Sequence, residues 1–371
     1  MERCIYTKKT GKETSFTSEE HVIPKCIGGI KKLKKGFVSD EFNNAISKAE
    51  EQFSREYPMV VLPRMMYGPK GRKSHSGKSN LSFLKSMEDN FIQLGYIENG
   101  KPCPALQLIV GINPKNEEAA IEFVQGVITQ KGEEKELLEA LLQYKDDFEC
   151  IRSDDPLMKN KICIGIAQKK IYLGCHEKMS EGDAREYMDM ILRLAKENRL
   201  KAPTDLSMEL KQHKVEYKKK LAFIIDSIQR VYAKMAFNTL ALIKGQEFVL
   251  REEFDPLREA IATGTNIQKY VSLPETTCSV QVAKLLRFKH KEHFIFLKKE
   301  RKALYGIVIL YGGSSSVMVK LAGNWKEGFE SCGFICDWMD KEEFLLDEFI
   351  LRCYLDLAGT SEGMRNIGMT E

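Results

Sequence analysis

Residues 17–24 read TSEEHVIP, and they are followed by a glycine pair at residues 28–29 and an asparagine pair at residues 43–44. The stretch sets the carboxylate of Glu20 directly beside the imidazole of His21. The glycine pair predicts a break after a short strand, because glycine is a strong punctuator of regular structure. These few residues decide the fold and the chemistry that the sequence predicts for its N-terminal part.

A compact ββα arrangement is expected over residues 1–57. A strand should begin at residues 4–6, a polar turn should follow, and residues 20–24 should return as a second short strand. The helix should start near residue 41, because Ser39 or Asp40 can offer a side-chain oxygen to the free N–H groups of its first turn.

These motifs resemble the core of the HNH endonuclease superfamily, in the branch that reads Ser-x-Glu-His-Val-Ile-Pro, then Gly-Gly, then Cys-x-x-Cys-Asn. The resemblance covers about residues 4–57. It implies a ββα-metal unit that hydrolyses phosphodiester bonds of DNA, with RNA a less favoured substrate. It also extends, at the level of fold only, to restriction and anti-phage defence effectors.

The resemblance implies roles for individual residues. His21 is expected to be the general base, a role that suits the near-neutral pKa of histidine. Glu20 is expected to be the first metal ligand and Asn43 to complete the site, with Asn44 and Glu51 as alternative ligands. Oxygen ligands favour a hard cation, so Mg²⁺ or Mn²⁺ is the expected cofactor.

The chain departs from that branch in its cysteines. The two Cys-x-x-Cys pairs are replaced by CIYT at residues 4–7 and SDEF at residues 39–42, which leaves one thiolate of four. No structural zinc is therefore expected, because such a site needs four ligands. Phe42 and Val38 should instead pack against Tyr6 and Phe16.

A second departure leaves an alternative open. The asparagine that orients the histidine in relatives is replaced by Lys34-Lys35-Gly36. The alternative to an active nuclease is therefore a catalytically degenerate HNH protein that serves as a nucleic-acid-binding, sensor or assembly module.

Positive charge is concentrated near the N-terminus. Residues 1–80 contain 16 Lys and Arg against 9 Asp and Glu, whereas the remainder of the chain is slightly acidic. Beside a nuclease motif, this pattern favours contacts with nucleic-acid phosphates over an inert solvated surface. The side chains expected to make them are Lys25, Lys31, Lys32, Lys34, Lys35, Lys70, Arg72, Lys73 and Lys78.

Three further segments are predicted downstream. Residues 58–80 read as a basic, Gly/Ser-rich linker. Residues 81–204 read as an α/β domain of unknown role, with helices expected at 81–96, 116–129, 133–144 and 182–198 and strands at 105–112, 148–152, 162–167 and 170–174. Residues 205–371 read as a helical and antiparallel β domain, with a strand at 208–217, a long helix at 219–244, strands at 293–297, 304–311 and 316–321, and a helix at 341–357.

The fold class predicted for the whole chain is α+β, with the N-terminal unit followed by a larger mixed α/β region and a C-terminal antiparallel sheet. No run approaches 18 uncharged apolar residues and no secretory signal is evident, so a soluble, cytoplasmic protein without membrane contacts is expected. A homodimer would supply the two active sites that cutting a duplex requires. A regulatory ligand or partner could act through residues 81–371.

Overall fold

The computed structural model describes residues 2–67, 81–86, 91–98, 100–112, 121–127, 139, 141–143, 148–167, 170–197, 215–217, 222–273, 286, 288 and 291–358. These residues form a mixed α+β structure with seven α-helices and fifteen strands in three sheets. The helices are α1 (Asp40–Arg55), α2 (Pro58–Tyr67), α3 (Glu181–Lys196), α4 (Ile225–Lys244), α5 (Gln246–Val249), α6 (Asp255–Thr263) and α7 (Leu346–Ala358). Among them, no helix is long and apolar enough to cross a membrane.

The strands of the described chain fall into two groups, one on each side of residue 220. The first group is β1 (Ser82–Ser86), β2 (Ile92–Glu98), β3 (Lys101–Pro104), β4 (Leu106–Ile112), β5 (Ile121–Val127), β6 (Phe148–Ser153), β7 (Lys161–Ala167), β8 (Lys170–His176) and β9 (Val215–Tyr217). The second group is β10 (Val271–Ser272), β11 (His293–Glu300), β12 (Ala303–Leu310), β13 (Ser315–Ala322), β14 (Cys332–Asp337) and β15 (Glu342–Leu345).

The chain folds into two compact units that differ from the division read from the sequence. The first unit combines Met1–Ser76 with Leu221–Glu371, and the second is the intervening segment Gly77–Lys220. Residues 58–67, predicted to be linker, form α2, whose Val60 and Met65 are buried. The remainder of the predicted linker lies outside the described residues. The N-terminal motif is therefore part of a discontinuous unit.

The first unit is built on an antiparallel sheet of order β10-β13-β12-β11-β14-β15. This confirms the predicted C-terminal antiparallel sheet, including the β11–β12–β13 meander. Helix α7 packs against β14 and β15, and its Phe349 is buried beside Phe294 and Ile335. The predicted helix at 341–357 is thus shortened, because its first residues form β15.

Helix α4 is the central element of the first unit. It packs against α1 and against β11, β12 and β13, and every residue from Val231 to Ala241 is buried. Gly306 of β12 permits this approach, since a β-carbon there would lie 2.8 Å from that of Ala236. The predicted long helix is confirmed, although it begins at Ile225.

Helix α1 presents one apolar face to α4. Its buried side chains include Phe42, Ile46, Ala49 and Phe53, at the three- and four-residue intervals of an amphipathic helix. Burial of a large apolar side chain contributes roughly 1.5–3 kcal/mol, so this face alone ties α1 firmly to the rest of the unit.

The second unit contains two sheets, of order β5-β4-β7-β8-β6 and β3-β2-β1-β9. Helix α3 and the strands predicted at 105–112, 148–152, 162–167 and 170–174 are confirmed, as helix Glu181–Lys196 and strands β4, β6, β7 and β8. The helices predicted at 81–96 and 116–129 are wrong, because β1, β2 and β5 lie there. Of the strand predicted at 208–217, the described part is β9.

Candidate functional site

Residues 2–39 form an irregular hairpin, and no regular strand occurs within this described stretch. Its antiparallel pairing consists of two isolated bridges, Arg3 with Thr10 and His21 with Lys32, and two hydrogen bonds flank the second. The Val22 N–H donates to the carbonyl of Lys31 at 2.9 Å, and the Leu33 N–H donates to that of Glu20 at 2.8 Å. The strand expected over 20–24 is therefore a single bridge, and the strand expected to begin at residues 4–6 is replaced by a turn at residues 5–7.

The glycine pair makes the hairpin turn possible. Gly28 has φ +105°, in the left-handed region that favours glycine, and a β-carbon there would lie 2.3 Å from the Trp338 β-carbon. A β-carbon on Gly29 would lie 1.9 Å from the carbonyl oxygen of Ile23. A larger residue at position 28 would require Trp338, the residue after the end of β14, to move. A larger residue at position 29 would require the backbone at Ile23 to move.

Two side chains from the C-terminal sheet hold this turn. The Glu343 carboxylate accepts hydrogen bonds from the backbone N–H groups of Ile30, at 3.0 Å, and of Lys31. The buried His293 contacts the carbonyl oxygen of Ile27 through Nε2 at 2.9 Å, while its Nδ1 accepts from the Tyr311 N–H at 3.0 Å. That acceptor role leaves the proton on Nε2, so His293 is a neutral imidazole. Burial lowers its pKa from 6.5 to about 4.

The start of α1 fixes the segment that precedes Glu20. Ser39 is the N-cap, as one of the two predicted choices, and accepts from the Phe42 N–H. Asp40 accepts hydrogen bonds from the hydroxyls of Ser15, Thr17 and Ser18 and from the N–H groups of the last two. These bonds hold the pKa of Asp40 well below its usual range. The segment is therefore attached to the helix N-terminus by a carboxylate that stays charged.

Apolar packing joins residues 4–7 to residues 39–42. Tyr6 stacks on Phe42 with a ring-centroid distance of 3.8 Å, and Phe16 and Val38 are buried in the same core. The Cys4 sulfur accepts from the hydroxyl of Ser39 at 3.3 Å. The predicted packing of Phe42 on Tyr6 is confirmed.

A cleft of about 420 Å³ opens between the hairpin and α1. All five residues chosen from the sequence as catalytic or metal-binding contribute to its lining, together with seven others. The full lining is Ser18, Glu19, Glu20, His21, Pro24, Lys25, Cys26, Asn43, Asn44, Glu50, Glu51 and Ser54. The structure thus brings the predicted site residues together, while their chemical roles stay predictions.

A buried lysine that the sequence analysis missed lies at this site. Lys234 of α4 places Nζ 2.5 Å from Oε1 of Glu20 and 2.5 Å from Oε1 of Glu50. Burial acts to lower the pKa of Lys234, but the charges of Glu50 and Glu20 outweigh it and raise that pKa. Burial raises the pKa of Glu20. The positive charge of Lys234 opposes that rise, and the negative charge of Glu50 adds to it. The signal in the sequence is a lysine within the mostly apolar stretch 231–242, where a buried charge needs a partner.

Asn238, one helical turn after Lys234, connects the hairpin to α4. Its Nδ2 donates to the backbone carbonyl of His21 at 3.0 Å, and its Oδ1 accepts from the Tyr6 hydroxyl at 2.5 Å. The Glu20 carboxylate in turn accepts from the backbone N–H of His21. His21 is therefore positioned through its backbone atoms, and Glu20 through its side chain.

The three α1 residues differ in their surroundings. Asn43 donates through Nδ2 to the Ser18 hydroxyl at 2.9 Å, whereas its Oδ1 is buried without a hydrogen-bond partner. Asn44 is exposed, and Glu51 is exposed and pairs with Arg55 at 2.5 Å. Asn43 consequently carries a buried amide oxygen that lacks a hydrogen-bond partner.

The donors at the cleft fit a hard cation in chemical type. Carboxylate and amide oxygens are what Mg²⁺ and Mn²⁺ take, and the orphaned Asn43 Oδ1 lacks any other partner. Over the described part of the chain, no three His, Cys, Asp or Glu side chains are grouped to hold a metal ion. Such a cation would therefore take few protein ligands, as Mg²⁺ commonly does.

Five of the nine basic residues predicted to contact DNA lie in the described part of the chain. Lys25, Lys31, Lys32, Lys34 and Lys35 are all exposed on the hairpin, with Lys25 in the cleft lining and Lys32 paired to Glu19 at 3.0 Å. The other four, Lys70, Arg72, Lys73 and Lys78, lie outside the described residues.

Comparison of this chain with known protein families, curated proteins and solved structures finds no match.

Proposed function

We propose that the chain is a divalent-cation-dependent endonuclease that hydrolyses DNA phosphodiester bonds at the cleft between the hairpin and α1. One observation carries the proposal: Glu20, His21, Asn43, Asn44 and Glu51, selected from the motif alone, line one cleft. The second support is the buried amide oxygen of Asn43, which has no hydrogen-bond partner.

In this proposal His21 accepts the proton of the attacking water, and Glu20 and Asn43 hold the cation. The cation, when bound, supplies charge neutralisation at the phosphate and at the leaving oxygen. Asn238 and Lys234 keep the backbone of His21 and the side chain of Glu20 in place. Asp40 holds Ser18 at the N-terminus of α1, where the Ser18 hydroxyl accepts a hydrogen bond from Asn43.

The exposed lysines of the hairpin attract the DNA backbone. Lys25 lies at the cleft itself, and Lys31, Lys34 and Lys35 lie on the hairpin that forms one of its walls. Contacts of this kind position a nucleic acid without reading its sequence. DNA is the proposed substrate ahead of RNA, in a cytoplasmic protein, and a homodimer would act on both strands of a duplex.

A plasmid-nicking assay tests the proposal. The full chain should convert supercoiled DNA to nicked or linear forms with Mg²⁺ or Mn²⁺ and not with EDTA. His21→Ala should lower the rate by about 10²–10⁴-fold, the usual contribution of a general base. Glu20→Gln should lower it as well, whereas Glu13→Gln, at an exposed carboxylate outside the cleft lining, should not.

Folding must be measured in parallel, by the unfolding midpoint of each variant. Full nicking activity in a folded His21→Ala variant would remove the nuclease proposal.

Salt dependence tests the hairpin lysines separately. Replacing Lys34 and Lys35 by Ser should weaken DNA binding and lower the slope of log affinity against log salt by about one for each phosphate that the hairpin no longer neutralises. The matched control replaces Lys178 and Lys196, which are equally exposed in the second unit. An unchanged slope in the hairpin variant would exclude these lysines as phosphate contacts.

A second candidate function is a non-catalytic nucleic-acid-binding or assembly module. The observation that favours it is the ammonium of Lys234, which already occupies one oxygen of Glu20. This candidate expects salt-dependent DNA binding with no cleavage under any divalent cation. A partner or ligand acting through residues 81–371 could also control the nuclease, and addition of that ligand would then raise the nicking rate.

A further inference from the structure

Lys234 is an unusual residue for the centre of a protein. Its side chain is 1% exposed, and its nearest charged neighbours are two carboxylates from different elements, Glu20 on the hairpin and Glu50 on α1. Each contact is 2.5 Å, and the carboxylates are themselves only 11% and 26% exposed. A charged lysine is almost never fully buried unless it is paired, so these two contacts are what keep it there.

The charges of this cluster do not cancel. Two carboxylates and one ammonium leave a net charge of −1, in surroundings where charge is poorly screened. Without the ammonium, two like charges would face each other across a short gap, which costs folding free energy. The position of Nζ, within about 2.5 Å of an oxygen from each carboxylate, is also one that a divalent cation bridging them could occupy.

We propose that Lys234 is an internal counter-cation, which joins Glu20 to Glu50 in the absence of metal and excludes a divalent cation from between these two carboxylates. The inference deepens the proposed function, because it states which oxygen of the motif glutamate is unavailable to the catalytic cation. Because Oε1 of Glu20 is paired with the ammonium of Lys234, the catalytic cation is restricted to the remainder of the cleft. Lys234 is thus a positioning residue for Glu20.

The inference predicts that removing the ammonium turns the carboxylate pair into a metal site. In Lys234→Met, Glu20 and Glu50 lose their common partner and repel each other. The variant should unfold at a lower temperature than the wild type in EDTA, and Mn²⁺ should restore most of the difference. By linkage, a cation that binds only the folded state raises its unfolding midpoint.

The matched control is the double variant Lys234→Met/Glu50→Gln. It has the same net charge at the cluster as the wild-type chain but offers a single carboxylate. Its unfolding midpoint in EDTA should recover toward the wild-type value. Its response to Mn²⁺ should not exceed that of the wild type. The measurements are thermal unfolding in EDTA and in Mn²⁺, and Mn²⁺ affinity by calorimetry, all with the full chain.

Two results would support the inference. Mn²⁺ should raise the unfolding midpoint of Lys234→Met more than that of the wild type or the double variant. Lys234→Met should also bind Mn²⁺ about tenfold more tightly, because one positive charge has left a poorly screened site. Equal shifts in all three chains would overturn the proposal. So would wild-type stability of Lys234→Met in EDTA.

If Lys234→Met cannot be isolated without metal, refolding from urea decides. Recovery with Mn²⁺ alone supports the inference, and failure in both conditions overturns it. None of these measurements uses DNA cleavage, so failure of the wild-type chain to nick DNA would count against the nuclease proposal alone and leave this test readable.

Discussion

The hairpin of residues 2–39 and the segment Gly77–Lys220 differ in the contacts that stabilise each of them. The second unit has sheets of five and four strands and its own buried cores. The hairpin has isolated bridges, and three of its supports come from side chains more than 200 positions away: Asn238 on His21, His293 on Ile27 and Glu343 on Ile30. A sequence motif can therefore be local while the structure that supports it is not.

The largest expected effect comes from separating these regions. Residues 1–80 alone should fail to fold, because they lose Lys234, Asn238, His293 and Glu343 together with the apolar surface of α4. Residues 77–220 alone should unfold cooperatively. Circular dichroism during heating distinguishes the two outcomes. A cooperative transition in residues 1–80 would contradict the dependence of the hairpin on distant residues.

Acid should weaken the hairpin support through His293. The pKa of this histidine is lowered by burial to about 4, against 6.5 for an ordinary histidine. Below pH 6.5 the unfolded chain binds a proton that the folded chain does not, so stability is complete above that pH and falls as pH drops toward 4. The decrease should reach about 3 kcal/mol, from the size of the pKa difference.

Urea unfolding across that pH window measures the effect of His293. His293→Gln should remove this part of the pH dependence, since an amide does not titrate there. Equal pH profiles for the two chains would show that the histidine is not held neutral by the fold.

A smaller effect is expected at the turn. Gly29→Ala forces a β-carbon against the Ile23 carbonyl, and overpacking of this kind costs about 2 kcal/mol. Gly328→Ala is the matched control, because a β-carbon there meets no atom within 4 Å. Urea unfolding compares the two variants. Equal stability of both would show that the turn relaxes without cost.

Local features of the sequence predicted local features of the structure. Ser39 as helix cap, the glycine turn, helix α4 and the β11–β13 meander all follow from spacing and residue type over a few positions. The secondary structure of residues 81–96 was harder to predict, because short apolar runs do not distinguish a strand from a helix. These residues form strands because they pair with β9 and β3. The contacts of a β-strand are set by partners that its own sequence does not name.

The candidate site divides in the same way. His21 and Glu20 are visible as neighbours in the chain, and Asn43 follows at the start of a helix. Lys234 and Glu50 were missed because their pairing joins positions 184 apart in the chain. A lysine inside the apolar stretch 231–242 was the one local sign of that pairing, and it indicates a buried partner without identifying which carboxylate it is.

The proposed nuclease requires Glu20 and Asn43 to hold a divalent cation within reach of His21. Anomalous diffraction from a crystal of the full chain with Mn²⁺ and a short DNA duplex tests it most directly. A peak is expected about 2.0–2.6 Å from a Glu20 carboxylate oxygen and from Asn43 Oδ1, with a phosphate beside it. A cleft without a peak, or a cation bound elsewhere while the duplex lies away from His21, would contradict it.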